Sequence, residues 1–126
     1  MKKGIRWLLF VVGVLMITGI GTYIFVQSNL EGLVGQAVGT PDFSMLEDGQ
    51  YIGSYSAFPV SAEVEVTIRN HAIESIRILK HQNGQGIDGE KIIDRIVAFQ
   101  SLDVDVISGA TYSSQVLKLA VADALK

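Results

Sequence analysis

The sequence predicts an α+β domain, a small antiparallel sheet covered by two helices, preceded by one N-terminal transmembrane helix. Three patterns carry that prediction. Residues Trp7 to Val26 form a run of 20 residues without a charge. Between Asp48 and Leu79 apolar and polar residues alternate with a period of two, as in half-buried strands. From Glu90 onward the period becomes helical, with Ile92, Ile93, Ile96 and Val97 on one face and, later, Val116, Leu117, Ala120, Val121 and Ala124 on another. Strands grouped ahead of helices indicate α+β organisation.

The apolar run comes first. At about 1.5 Å per residue it spans roughly 30 Å, the thickness of a bilayer's hydrocarbon core. Lys2, Lys3 and Arg6 precede it, and the next basic residue is Arg69. The positive-inside rule then places residues 1–6 in the cytoplasm, residues 7–26 across the cell membrane as a single pass, and the C-terminal domain outside. A cleaved signal peptide is the rival reading, but it has a shorter core and a small-residue cleavage site close behind it. Gln27-Ser28-Asn29-Leu30 supplies no such site, and Gly35-Gln36-Ala37 lies far downstream. Residues 27–47, with Gly32, Gly35, Gly39 and Thr40-Pro41, read as a tether with some helix near Leu30 to Val38. The folded domain is then 48–126.

Charge is distributed unevenly. The chain has 10 basic and 13 acidic residues, and setting aside Lys2, Lys3 and Arg6 leaves 7 against 13 beyond the apolar run. An outer domain near −6 is unsuited to nucleic acid, which calls for a basic face. The sequence has no Cys, which excludes disulfides, a lipoprotein anchor and thiolate-held metals or clusters. No spacing of His and carboxylates forms a metal site.

Within the domain, Asp48 to Tyr55 opens the sheet with Tyr51, Gly53 and Tyr55 on one face; Gly53 marks a bulge or close packing. Glu63 to Arg69 alternates, with Val64, Val66 and Ile68 inward. Asn70-His71 supplies the positive φ of a tight hairpin turn, and Ala72 to Leu79 returns with Ile73, Ile76 and Ile78. His81 to Gly89 is a glycine-rich loop. Its Gly84-x-Gly86-x-x-Gly89 spacing matches the dinucleotide pattern but lacks the βαβ setting which that pattern requires. Glu90 to Gln100 is the first amphipathic helix, Val104, Val106 and Ile107 a short strand, and Ser113 to Leu125 the last helix.

The chemistry concentrates in Asp105-Val106-Ile107-Ser108-Gly109-Ala110-Thr111-Tyr112-Ser113-Ser114. Hydroxyl residues just ahead of a helical pattern read as an N-cap. A helix N-terminus offers unpaired N–H groups and partial positive charge to an anion. Gly109 permits a tight turn or close backbone approach. From these residues alone the stretch is a weak signal for a phosphate site, and a capped helix after a turn is the better explanation.

Asp105-x-x-Ser108-Gly109-Ala110-Thr111 resembles the signature of the FMN-binding domain family, which includes the flavin-carrying subunits of bacterial sodium-pumping NADH:quinone oxidoreductases and related electron-transport complexes. Asp48-Gly49-x-Tyr51-x-Gly53 is similar to that family's opening, so the resemblance spans roughly 48–126. Two departures stand beside it: Tyr112-Ser113-Ser114 where the family often has x-Thr-Ser, and Asn70-His71 where it usually has Asp-Gly. The resemblance implies FMN held covalently on Thr111 as a phosphoester, installed from FAD by a flavin transferase that recognises Asp105; an Asx-type cap is the competing role for that Asp. It implies that N–H groups of Ala110 to Ser114, Ser113 among them, face the phosphodiester, while Ser108 and Gly109 shape the turn. Tyr112 either sits beside the flavin or shields the helix start. His81 is either a flavin-pocket residue or a solvent-exposed loop histidine. No residue is assigned a catalytic role, since the flavin carries the electrons. The expected partners are the transferase, membrane or extracytoplasmic redox proteins, and the lipid bilayer. Two alternatives share the sequence: a domain binding FMN reversibly, as a reductase or sensor, and a non-redox interaction module on a membrane stalk.

Overall fold

The first helix, α1, runs from Lys2 to Val34, 33 residues. At about 1.5 Å per residue it is roughly 50 Å long, against about 30 Å of hydrocarbon. The surplus lies at its C-terminal end, where Leu30 and Leu33 are buried in the domain core. Upstream, most of the large side chains from Trp7 to Phe25 stand exposed. α1 is long and apolar enough to cross a membrane. The computed structural model describes residues 2–82 and 87–126, so Gly84 and Gly86 of the glycine-rich loop lie outside the described residues.

The sheet has three strands, β1 (Gly49–Ala57), β2 (Val60–Arg69) and β3 (Ala72–Gln82), antiparallel and in the order β1-β2-β3. Asn70 and His71 both take positive φ, 53° and 61°, as a two-residue type I′ turn requires. β2 is the central strand and alternates fully: Val60, Ala62, Val64, Val66 and Ile68 are buried, while Ser61, Glu63, Glu65 and Thr67 face away. Helix α3 (Thr111–Ala124) lies across the inner face, contributing Val116, Leu117, Ala120, Val121 and Ala124. The shorter α2 (Ile92–Phe99) sits beside β3 and adds Ile92, Ile93 and Ile96. The expected α+β arrangement is what the chain adopts.

Gly53 shows how tightly α3 is drawn onto β1. A Cβ there would lie 2.2 Å from the Ala124 nitrogen and 2.3 Å from the Ala120 carbonyl oxygen. Pairing of β1 with β2 runs through Gly53 without a shift, so this glycine serves close packing and forms no bulge.

Three features differ from expectation. The stretch 27–47 does not hang free. After α1 ends, Thr40 Oγ1 accepts the Leu102 N–H at 3.0 Å, Gln36 O accepts from Gln115 Nε2 at 2.7 Å, and Tyr55 donates to Gln36 Oε1 at 3.2 Å. Val38, Phe43 and Leu46 pack on the core. Second, the β-branched run Val104–Ile107 is not a strand. Its carbonyls are taken by cations instead: Lys118 Nζ to Val104 O at 2.9 Å and Arg95 Nη1 to Asp105 O at 3.0 Å. Third, the Glu90–Gln100 helix is divided, a 3-10 turn over Ile87–Lys91 leading into α2. Gln100 ends α2 at φ 51°, and its amide pairs with both the N–H and the C=O of Ile73, standing in for a neighbouring strand.

Candidate functional site

The segment between Ile107 and Ala110 closes as a β-turn, the Ala110 N–H donating to Ile107 O at 3.0 Å. Gly109 takes φ 80°, which fits the third position of a type II turn and which a side chain would strain. A Cβ at Gly109 would meet open space, so the torsion alone requires this glycine. Ser108 and Gly109 are both exposed at the tip of the turn.

α3 begins directly afterwards. Its N-cap is Ala110, and among the described residues no side chain caps it. The expectation of a hydroxyl cap is therefore corrected: Thr111, Tyr112, Ser113 and Ser114 stand inside the first turn, beyond the capping position. Ala110 has no side-chain oxygen to offer, and the first helical bond is Ser114 N–H to its backbone carbonyl oxygen, 2.9 Å. The N–H groups of Thr111 to Ser113 are the donors that a helix start leaves unpaired by its own ladder.

The hydroxyls in this first turn divide sharply. Ser114 is fully buried; its Oγ accepts the Ile107 N–H at 3.1 Å and donates to Ala110 O at 2.7 Å, clamping the turn to the helix. Ser113 is buried too, with Oγ 2.5 Å from His81 Nε2. Thr111 is half-buried, and among the described residues its hydroxyl is engaged in no such bond. Tyr112 is half-buried and packs against the core. In the first turn of α3, Ser113 and Ser114 are thus committed within the fold, and Thr111 is the partly exposed hydroxyl.

His81 lies at the end of β3, its side chain only 2 % exposed, so it is not a solvent-exposed loop histidine. Its Nδ1 is 2.9 Å from Glu90 Oε1 while Nε2 meets Ser113. Gly89, beside Glu90, lets this arrangement close: a Cβ on it would lie 2.8 Å from Ser113 Cβ. Glu90, His81 and Ser113 thus join the 3-10 turn, the end of β3 and the start of α3 in one chain of polar contacts. Sequence reading placed His81 near the motif only through a resemblance and did not see Glu90 or Gly89. Nothing in a linear pattern pairs position 90 with position 113.

Asp105 is exposed at the far end of the motif, on the rim of an open hollow of about 430 Å³ that Arg95, Phe99, Asp103 and Val104 also line. Among the described residues its carboxylate makes no cap within the turn. Among the described residues there is no group of His, Asp and Glu able to hold a metal ion.

The family model of the FMN-binding domain matches residues 60–126, just over half of the chain. The chain belongs to the FMN-binding domain family. The match runs from the first residue of β2 to the C-terminus and contains the whole motif, His81, Glu90 and α3. β1 and its Asp48-Gly49-x-Tyr51-x-Gly53 stretch lie outside the matched residues, although β1 completes the sheet. No curated protein matches the chain. The residues present fit the phosphate end of FMN. An uncapped helix start offers N–H donors and the positive end of a dipole to an anion, in a domain otherwise acidic.

Proposed function

We propose that this chain is a membrane-anchored, outward-facing flavoprotein which carries FMN covalently on Thr111 and serves as an electron-transfer carrier or subunit. The observation that supports the attachment point is the division of hydroxyls at the start of α3. Ser113 and Ser114 are buried and committed to His81, Ile107 and Ala110, whereas Thr111 stands half-exposed at the first helical position. A flavin transferase supplies the group from FAD. Thr111 Oγ1 gives up its proton and forms the ester bond to the FMN phosphorus, and the bond from that phosphorus to AMP breaks. The product is a phosphodiester with one negative charge. N–H groups of Thr111 to Ser113 and the dipole of α3 stabilise that charge, those of Ala110 and Ser114 being taken by Ile107 O and Ala110 O; Gly109 and Ser108 hold the turn, and exposed Asp105 is the transferase's handle.

Bound FMN supplies reversible electron transfer; the protein supplies attachment, orientation and the local field. α1 keeps the carrier at the membrane, with residues 1–6 on the cytoplasmic side by their charge. The redox partners are membrane-bound or extracytoplasmic proteins. An acidic domain prefers basic docking faces, and that preference weakens with salt.

The test is in-gel flavin fluorescence after SDS denaturation of the chain co-expressed with a flavin transferase. Wild-type protein gives a fluorescent band and T111A gives none. A fluorescent T111A band, or a dark wild-type band from cells that flavinylate a known acceptor, refutes attachment at Thr111.

A further inference from the structure

The end of α1 and the tip of the β1–β2 hairpin occupy the same place. Ser28 and Asn29 share one surface hollow with Ala57 and Phe58. Further along, Gln36 meets Tyr55. Going back from Gln36 through the last turns of α1 to Ser28 is therefore going along β1 from Tyr55 to the hairpin tip, so the helix enters the domain from the tip end.

The distances decide what lies beside that tip. The charge-free run ends at Val26, and Asn29 is three residues on, about 4.5 Å along the helix. The headgroup layer on each side of a bilayer is roughly 5–8 Å deep, from a total of about 40–45 Å around a core of about 30 Å. A group level with Ser28 and Asn29 stands inside that layer. Phe58 is such a group, and 62 % of it is exposed in the folded chain. Pro59, beside it, is exposed as well. An uncovered apolar ring at this depth can bury itself at the boundary of headgroups and acyl chains, as Phe does on interfacial helices.

The orientation is fixed because the link is not free to swing. Leu30 and Leu33 are core residues, and Gln36 is held by Tyr55 and Gln115. The Ser113 end of the motif, at the start of α3, lies toward the same end, while Asp105 lines the hollow with Phe99. Val60 follows the tip, Ala62 pairs with His81, and His81 holds Ser113 at the start of α3. α3 then crosses the sheet from β3 to β1, meeting Ser54 with Asp123 and Gly53 with Ala120 and Ala124.

We propose that the β1–β2 tip, Phe58-Pro59, rests in the headgroup layer of the bilayer that α1 crosses, so that the domain stands with its motif end toward the membrane. This rests on the reading of α1 as a retained anchor. It makes a membrane-embedded redox group, rather than a distant soluble one, the closest partner for a flavin on Thr111.

The test uses the full chain in liposomes of phosphatidylcholine and phosphatidylglycerol, with or without lipid brominated near the top of the acyl chains. Trp7 is the sole tryptophan, so wild type reports the anchor itself. W7F/F58W reports the tip. W7F/F99W is the control: Phe99 is 71 % exposed, and neighbouring Gln100 binds Ile73 beside the β2–β3 turn, at the opposite end of the sheet. Emission is read as a ratio to unbrominated lipid, which cancels any effect of the flavin. The expected result is strong quenching of wild type, quenching of W7F/F58W by at least a third, and little change in W7F/F99W. Both reporters replace exposed rings, so neither disturbs the core. Quenching of wild type with W7F/F58W no more quenched than W7F/F99W overturns the tip contact and leaves the anchor standing. An unquenched Trp7 removes the anchor and the tip contact together.

Discussion

Replacing Ser114 with Ala probes the clamp that ties the Ile107–Ala110 turn to the start of α3. The Ser114 hydroxyl accepts the Ile107 N–H and donates to Ala110 O from a fully buried position. Ala110 O keeps a second donor, the Ser114 N–H at 2.9 Å, so its loss is small. The Ile107 N–H has no such reserve, and a buried donor left unpaired costs about 1–3 kcal/mol. Ile107 is only half-buried and water can reach it in part, which favours the lower half of that range, about 1–2 kcal/mol. For a domain of this size each kcal/mol moves Tm by about 4–8 °C, so S114A should melt roughly 5–15 °C lower. Thermal unfolding of the full chain in detergent, followed by near-ultraviolet circular dichroism, measures this. Amide exchange supplies the local readout, since Ile107 should lose protection beyond the global change. S108A is the control: Ser108 is exposed at the turn tip and should shift stability by less than about 0.5 kcal/mol. If S114A melts with wild type and Ile107 exchanges unchanged, the clamp does not hold the turn.

Three further outcomes follow from the same structure. G53A drives a methyl group into the backbone of α3 at Ala120 and Ala124, where no side chain can move aside, and should cost about 3 kcal/mol in chemical unfolding, the upper range for overpacking. H81A removes a buried ring and the partner of Ser113, so it should cost about 2–4 kcal/mol, whereas E90Q, at a carboxylate 39 % exposed, should cost under about 1 kcal/mol; urea titrations of the two variants check the order. The Asp42 carboxyl is held below its ordinary pKa by hydrogen bonds from the Ser44 hydroxyl and N–H, so the 3-10 turn Phe43–Met45 keeps its cap at neutral pH and loses it as pH falls through that lowered value. The Ser44 amide chemical shift should follow that titration and stay flat in D42N.

Much of the sheet was legible because period-two alternation is a local property. Val64, Val66 and Ile68 read as the inward face and are buried, and Asn70-His71 read as a positive-φ turn and adopt one. The two helix faces were legible for the same reason. What escaped was non-local. Val104 to Ile107 has the β-branched composition of a strand, yet the cations of Arg95 and Lys118 reach its carbonyls before a strand can. Residues 27–47 look like a spacer because Gly and Pro are frequent there, and only the fold shows Leu30, Leu33 and Phe43 packing on the core. The motif was visible in sequence as a set of residue types, but the sorting of its hydroxyls was not. Ser113 and Ser114 are distinguished from Thr111 by His81 and Ile107, partners whose proximity arises only when β3 and the turn are brought to α3.

The central claim is a covalent bond at one hydroxyl, and mass measures it directly. The chain purified from its own membranes should weigh more than its sequence by one FMN less one water, and fragmentation should place the whole addition on Thr111. An unmodified Thr111 in cells that make an active flavin transferase, or the addition found on Ser113 or Ser114, would contradict the account.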